Sequence, residues 1–143
     1  MRDYRGNRLD NGEWVYGFYT KSPSGNHYIT ETVCGGASPK KVHPNTVGQY
    51  TGIYTTEETE DGDTLVTAIY EGDIVDAVLT DGIHEDFSWG RHVVVFDRGA
   101  FCLKDRRGLT TPMCSYAANV KFKVLGNVWD NQELMEGHGN AKT

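Results

Sequence analysis

The sequence has no long hydrophobic run, because no apolar stretch approaches the roughly 20 residues that a helix needs to cross a bilayer. Cysteine is scarce: Cys34, Cys102 and Cys114 are odd in number and lack paired spacing, which indicates reduced thiols. The residues after Met1 contain no apolar signal-peptide core. These absences predict a cytoplasmic protein without a membrane-spanning segment.

Motifs of known chemistry are also missing from the sequence. There is no nucleophile elbow, no phosphate-binding glycine loop and no dinucleotide fingerprint. The densest set of metal-ligand types is His84, Glu85, Asp86 and His92, with Cys102 across a predicted hairpin, but it lacks the tight spacing of zinc sites. We therefore predict no catalytic residue, no metal site and no cofactor, and we interpret the set as a polar surface loop.

Basic residues are outnumbered, with 14 Lys and Arg against 20 Asp and Glu and a formal net charge of −6. Nonspecific affinity for nucleic acid comes mainly from clustered Lys and Arg, so this balance disfavours nucleic acid as a partner. A central run, residues 55–63, is strongly acidic. The net charge does not exclude a local basic patch that binds nucleic acid, because seven basic residues lie in the second half of the chain: Arg91, Arg98, Lys104, Arg106, Arg107, Lys121 and Lys123.

The abundant residues indicate a mainly β fold. The 17 glycines and 8 tyrosines favour short strands joined by tight turns, whereas runs of helix formers are scarce. We predict short antiparallel strands that form an SH3-like barrel, with an additional N-terminal β-rich portion. The predicted division is 1–64 for the N-terminal portion, 65–134 for the barrel and 135–143 for a polar tail, with one compact unit over 1–134 as the alternative.

The first half of the chain predicts one well-defined hairpin. After the turn signal Asn11-Gly12, residues 13–20 place aromatic or apolar side chains on both strand faces, which predicts cover on both sides. Residues 27–33 supply the second strand. The rest is predicted as non-regular chain: a loop over 34–39, irregular extended chain over 46–54 with a turn at Gly52, and a solvated acidic loop over 55–63.

The second half predicts several short strands around a glycine corner. Residues 65–70 and 74–79 read as strands that flank Glu71-Gly72-Asp73, where glycine supplies an unusual backbone angle and Asp accepts local N–H groups. A loop over 83–90 precedes a hairpin of 91–97 and 100–104. One helical turn that starts at Thr110-Thr111-Pro112 and runs through Tyr116 is also predicted, since proline is tolerated at a first helical position, as is a short final helix through Met135. Between them the alternation directs three side chains inward: Val120, Phe122 and Val124.

Four separated blocks resemble the YopX family. They read WVYG at 14–17, PNTVGQYTG at 44–52, IYEGDIV at 69–75 and LGNVWDN at 125–131. The resemblance implies a phage- or prophage-encoded protein with a β-rich fold that contains SH3-type barrels. The join over 53–68 is longer and more acidic than the short charged turn usual in the family. Because the family's members have no known function, the resemblance implies no catalytic residue.

Two groups of residues are candidates for a binding site. Glu71 and Asp73 are an i, i+2 pair of carboxylates that could hold a cation or activate water, but a turn aspartate with a solvated glutamate is the simpler interpretation. The aromatic residues could line a binding groove or fill the ends of a barrel, and of these the loop pair Phe87 and Trp89 is expected to be partly exposed. The full set of candidate binding residues is Tyr50, Tyr70, Glu71, Asp73, Phe87 and Trp89.

The favoured function is therefore that of a non-catalytic accessory protein that binds a protein partner from host or phage. One alternative is an enzyme that acts on a nucleotide or nucleic-acid substrate through Glu71 and Asp73. Another is an oligomeric structural component, because exposed edge strands invite pairing between chains.

Overall fold

The computed structural model describes residues 3–33, 35–80, 82–116 and 119–136, and it confirms a mainly β protein. The chain divides into two compact units, Met1–Gly52 and Ile53–Thr143. The described strands are β1 (Tyr4–Asn7), β2 (Trp14–Lys21), β3 (His27–Val33), β4 (Gly36–Lys41), β5 (Gly48–Glu58), β6 (Thr64–Tyr70), β7 (Asp73–Leu79), β8 (Phe87–Asp97), β9 (Ala100–Lys104), β10 (Thr110–Pro112) and β11 (Val120–Asn127). Three single 3-10 turns accompany them: Pro44–Thr46, Met113–Ser115 and Gln132–Leu134.

The first unit is an antiparallel sheet in the order β4-β3-β2-β1, followed by the start of β5. The Asn11-Gly12 turn lies where the sequence predicts it, because Gly12 adopts a φ of +74° and the Arg8 N–H donates to the Glu13 carbonyl at 2.9 Å. Sequence reasoning missed β1, whose residues show no apolar alternation. It exists because β2 and β5 pair with its two edges.

The prediction that β2 is covered on both faces is wrong. Tyr16 is 39% exposed and Phe18 is 58% exposed, whereas Val15 on the opposite face is buried. The core of this unit forms from Val15, Ile29 and Val42, so the sheet packs through the face that carries Val15. Aromatic residues are common in half-exposed strands, which is why their presence on both faces does not establish burial on both.

Residues from Gly36 onward form a strand rather than the predicted loop. Strand β4 comes first in the sheet order, so Pro39 occupies an edge strand, where the missing N–H is tolerated. Cys34, in the same predicted loop, lies outside the described residues. The following Pro44–Thr46 turn begins at the proline, and His43 before it is extended, as predicted, with φ −69° and ψ 122°.

Strand β5 replaces both the irregular segment and most of the acidic loop that the sequence predicts. It runs without a break through Gly52, whose φ is +85°, to Glu58 and then turns back into β6. The turn is closed by the Thr59 N–H, which donates to the Asp63 carbonyl at 2.8 Å. We call residues 56–66 the hairpin arm, because each of them is exposed. The unit boundary after Gly52 lies earlier in the chain than the predicted one after Thr64.

The second unit contains the β5–β6 hairpin and a sheet in the order β10-β9-β8-β7-β11. Its core consists of six buried residues: Ile69, Val75, Ala77, Val94, Leu103 and Met113. In β11 the inward alternation is confirmed, because Phe122 lies opposite Ala77 and Val124 lies opposite Val75 in the ladder with β7. Lys121 and Lys123 point away from the core.

Three further expectations about this unit need adjustment. Phe87 and Trp89 belong to strand β8, not to a loop. Pro112 precedes the 3-10 turn instead of starting it, and the final helix is reduced to the Gln132–Leu134 turn. Neither sheet order returns to its first strand among the described strands, so closure into an SH3-like barrel stays a prediction.

In the described ranges, no helix has the length and apolar character needed to span a membrane.

Candidate functional site

The Glu71-Gly72-Asp73 corner joins β6 to β7 and is held on several sides. Gly72 has a φ of +93°, the left-handed conformation that glycine was predicted to supply. The Asp73 side chain is buried, and its Oδ2 accepts the Tyr70 N–H at 2.8 Å. The Gly72 N–H donates to the Val94 carbonyl at 2.8 Å, which ties the corner to β8. These contacts give the corner a structural role, because they fix the turn between β6 and β7 and connect it to β8.

The end of β11 packs directly on this corner. The Gly72 carbonyl accepts the Val128 N–H at 3.0 Å, and a Cβ added at Gly72 would lie 2.2 Å from the Trp129 ring. The backbone at Trp129 is held by Asn127, whose Oδ1 accepts the Trp129 backbone N–H at 3.0 Å. Two of the four sequence blocks, 69–75 and 125–131, thus meet in one packed arrangement. Their co-occurrence in the sequence has an architectural cause.

The six candidate binding residues lie in different surroundings. Tyr70 and Asp73 are buried in the corner, while Glu71 and Tyr50 are half-buried. Phe87 and Trp89 are exposed, as predicted. Among the described residues, no group of three His, Cys, Asp or Glu side chains is arranged to hold a metal ion.

Phe87 and Trp89 belong to a larger set of four aromatic rings, which we call the aromatic row. Phe87 meets Trp89 edge to face at 5.0 Å between ring centroids, Trp89 meets Tyr116 at 6.1 Å, and Tyr116 meets Phe122 at 5.5 Å. Phe122 and Tyr116 pack against the core, whereas Trp89 is 46% exposed and Phe87 is 55% exposed. The row therefore leads from the core to the surface.

Sequence reasoning did not assign Tyr116 and Phe122 to this surface. The inward direction of Phe122 was predicted from alternation, but no local pattern links Tyr116 to Trp89. The 3-10 turn Met113–Ser115 places Tyr116 against the row. Burial raises the pKa of the Tyr116 hydroxyl, against a hydrogen bond with Thr111 that lowers it, so the ring stays neutral at neutral pH.

A concave surface also lies within this unit, and we call it the β11 groove. It has a volume of about 740 Å³ and runs between the later part of β5 and strand β11. Residues 55–58 and 121–124 line it, together with Thr67 from β6, Asp76 and Val78 from β7, and Thr80 and Asp86. Its volume falls within the range of about 300–1,000 Å³ that is typical of ligand sites.

The cysteines differ in their surroundings. Cys102 is 4% exposed, and burial, followed by the charge of Asp97, raises the pKa of its thiol. Cys114 is exposed. The prediction that Cys102 is a small core residue is therefore confirmed.

We expect an alkylating reagent to modify Cys114 at least about tenfold faster than Cys102, because only an accessible thiolate reacts. Peptide mapping by mass spectrometry after timed exposure to iodoacetamide measures both rates in one sample. Denaturation in urea before labelling is the control and should bring the two rates together. Equal rates in the native protein would contradict the buried position of Cys102.

Comparison with known proteins places the chain in a family. A search of curated proteins finds no match. A crystal structure of the protein yopX from Bacillus subtilis is similar in fold, with a TM-score of 0.52 and 17% sequence identity, over 94% of this chain and 98% of that chain. The family model described as YopX protein matches residues 3–136. The chain therefore belongs to the YopX family.

Proposed function

We propose that this YopX-family protein is a non-catalytic accessory protein of phage or prophage origin, active in the cytoplasm of the host cell, which binds a protein partner through the aromatic row. The observation that carries this proposal is the exposure of Phe87 and Trp89 on top of the half-buried rings of Tyr116 and Phe122. Aromatic side chains are enriched at the energetic centres of protein interfaces. The edge-to-face contacts already order the rings, so binding has less conformational entropy to remove.

The charge around the row favours a protein over nucleic acid. Surfaces that stack nucleic-acid bases combine aromatic rings with a positively charged groove. Immediately before Phe87 the chain instead carries Glu85 and Asp86, and both are exposed. The chain as a whole has a formal charge of −6. A phosphate backbone would be repelled, whereas a protein surface with apolar and donor groups would not.

The test is affinity capture from cells that carry the phage or prophage, with and without nuclease, using the double variant Phe87→Ser/Trp89→Ser. We expect the double variant to recover at least about tenfold less of a nuclease-resistant protein partner, since one central aromatic residue contributes about 2 kcal/mol at an interface. The matched control is Phe96→Ser. Phe96 lies on the same strand and is 53% exposed, but it contacts Phe101 instead of the row.

Circular dichroism and thermal unfolding of each variant confirm that it is folded before capture is compared. Equal recovery by the double variant and the wild type would overturn the proposal. A partner that disappears after nuclease treatment would do so as well, and would point to nucleic acid.

A further inference from the structure

The sheet of the first unit has one face that its core does not cover. Val15 points into that core, so the residues that alternate with it along β2 point to the opposite face, which we call the outer face. Trp14, Tyr16 and Phe18 follow one another there at every second residue, about 7 Å apart. Trp14 is half-buried, whereas Tyr16 and Phe18 are exposed. The outer face therefore carries a line of three aromatic side chains, two of which are open to solvent.

Two basic residues belong to the outer face as well. Arg5 lies opposite Tyr16 in the ladder, and its guanidinium lies over the Trp14 ring at 4.9 Å from the centroid. Lys41 is exposed and lies opposite Tyr28 of the same face. Because Arg5 is buried, it orders the Trp14 ring and adds positive potential, whereas Lys41 can contact a ligand directly.

Acidic side chains are missing from the outer face among the described residues of β1 to β4. The first unit contains four acidic residues. Asp3, Asp10 and Glu13 lie outside its strands. Glu31 lies two residues after the buried Ile29, so it belongs to the opposite face. The strands thus present aromatic and basic side chains together, without carboxylates between them.

The net negative charge of the chain belongs to the second unit. Residues 1–52 contain six Lys or Arg and four Asp or Glu, which gives a formal charge of +2. Residues 53–143 contain eight Lys or Arg and sixteen Asp or Glu, which gives −8. Exposed charges more than about 8 Å apart are largely screened at physiological ionic strength, so a ligand responds mainly to charges near its site. The overall charge of −6 therefore does not disfavour an anionic ligand on the outer face.

We propose that the outer face binds single-stranded nucleic acid, with bases stacked on Tyr16 and Phe18 and the phosphate backbone beside Lys41. Small domains that bind single strands stack about two or three bases on aromatic side chains of an antiparallel sheet. They combine these rings with positive charge that follows the backbone. Lys21 extends the positive charge, because it is exposed and follows Thr20, which lies in the same ladder row as Lys41.

A single strand fits this surface better than an apolar protein partner does. An apolar partner would bury the Lys41 ammonium group beside a face without carboxylates, which is costly, whereas a phosphate pairs with it. Stacking on aromatic rings tolerates every base, so the site is expected to have little sequence preference. This activity goes beyond the proposed function, because it uses a different unit of the chain and a different class of ligand.

The test is fluorescence anisotropy at about 50 mM salt, where phosphate contacts are strong. The probe is a fluorescein-labelled oligothymidylate of about 12 nucleotides, a length within the site sizes of small single-strand-binding domains. An abasic strand of the same length keeps the phosphates without the bases, and we expect it to bind at least about tenfold more weakly. A duplex should also bind more weakly, because its bases are already stacked. An oligouridylate of equal length shows whether RNA or DNA binds more tightly, and tight binding of either supports the proposal.

The double variant Tyr16→Ser/Phe18→Ser tests the stacking residues. We expect it to bind oligothymidylate at least about tenfold more weakly than the wild type, because it removes both exposed rings of the face. The matched control is Tyr54→Ser/Phe96→Ser. It removes two rings of similar exposure, 56% and 53%, from strands of the second unit, and should bind like the wild type.

Charge reversal tests the path of the backbone. The variant Lys21→Glu/Lys41→Glu should weaken binding by about tenfold or more. It should also flatten the salt dependence, since each lost phosphate contact removes about 0.7 from the slope of log K against log salt. The control Lys104→Glu/Arg106→Glu makes the same change in net charge at exposed residues of the second unit, and should weaken binding by less than about threefold. Circular dichroism confirms that each variant is folded.

Several outcomes would overturn this proposal. They are the absence of oligothymidylate binding, equal binding of the abasic strand by the wild type, and unchanged binding by Tyr16→Ser/Phe18→Ser. A dimer by light scattering that dissociates in the same variant would assign the outer face to a second copy instead. Because Phe87 and Trp89 are unchanged in every variant, each of these results leaves the proposed function to its own test.

Discussion

Replacing Asp73 by alanine is expected to lower the free energy of unfolding by about 3 kcal/mol. The carboxylate is 3% exposed, and its Oδ2 accepts the Tyr70 N–H at the corner between β6 and β7. Alanine would leave that N–H buried without its acceptor and would also open a small cavity. Hydrogen bonds to charged groups contribute about 1.5–3 kcal/mol, and the unsatisfied donor adds to the loss. Urea denaturation followed by tryptophan fluorescence measures the change.

The matched control for this experiment is Glu71→Ala. Glu71 belongs to the same corner but is half-buried, so the free energy of unfolding should fall by less than about 1 kcal/mol. The pair also tests the enzyme hypothesis, which assigns chemistry to both carboxylates. If Asp73→Ala kept full stability and lost partner binding or an activity, the corner would be a functional site and its structural interpretation would be wrong.

Replacing Gly72 by alanine is expected to destabilise the second unit by about 3 kcal/mol or more. Two effects add. The φ of +93° is strained for any residue with a Cβ, which costs about 1–2 kcal/mol. The new methyl would lie 2.2 Å from the Trp129 ring, and overpacking costs about 1–3 kcal/mol.

Gly62→Ala separates these two effects. Gly62 has a similar φ of +85° at the tip of the hairpin arm, but a Cβ there would meet no described atom within 4 Å. Only the conformational strain should appear, at about 1 kcal/mol. Combining Gly72→Ala with Trp129→Leu should recover part of the stability in a double-mutant cycle. If both glycine substitutions lowered the free energy of unfolding equally, the clash between the new methyl at position 72 and the Trp129 ring would contribute nothing to the loss.

The parts of the fold that the sequence predicts well are those with local chemical causes. Asn11-Gly12 specifies a tight turn through backbone angles, and Gly72 with Asp73 specifies the corner in the same way. The alternation of Phe122 and Val124 with two lysines specifies which face of β11 is buried. In each case the cause lies within a few residues of its effect, so one sequence suffices to identify it.

The missed elements have causes that lie elsewhere in the chain. Strands β1 and β4 contain glycine, proline and polar residues, and they exist because neighbouring strands supply hydrogen-bond partners. The acidic end of β5 is a strand for the same reason, through its pairing with β6. The aromatic row depends on contacts between Trp89, Tyr116 and Phe122, which are far apart in sequence. No local pattern encodes such a meeting.

The packing of Trp129 on Gly72 also constrains the order in which the protein folds during its synthesis. Trp129, whose ring covers the corner, is synthesised long after the corner itself. The second unit therefore cannot complete its packing until nearly all of its strands have left the ribosome. The first unit is complete at Gly52 and has no such delay. Nascent chains that stall before Trp129 would therefore carry a finished first unit followed by an open sheet, and that open sheet is where aggregation would begin.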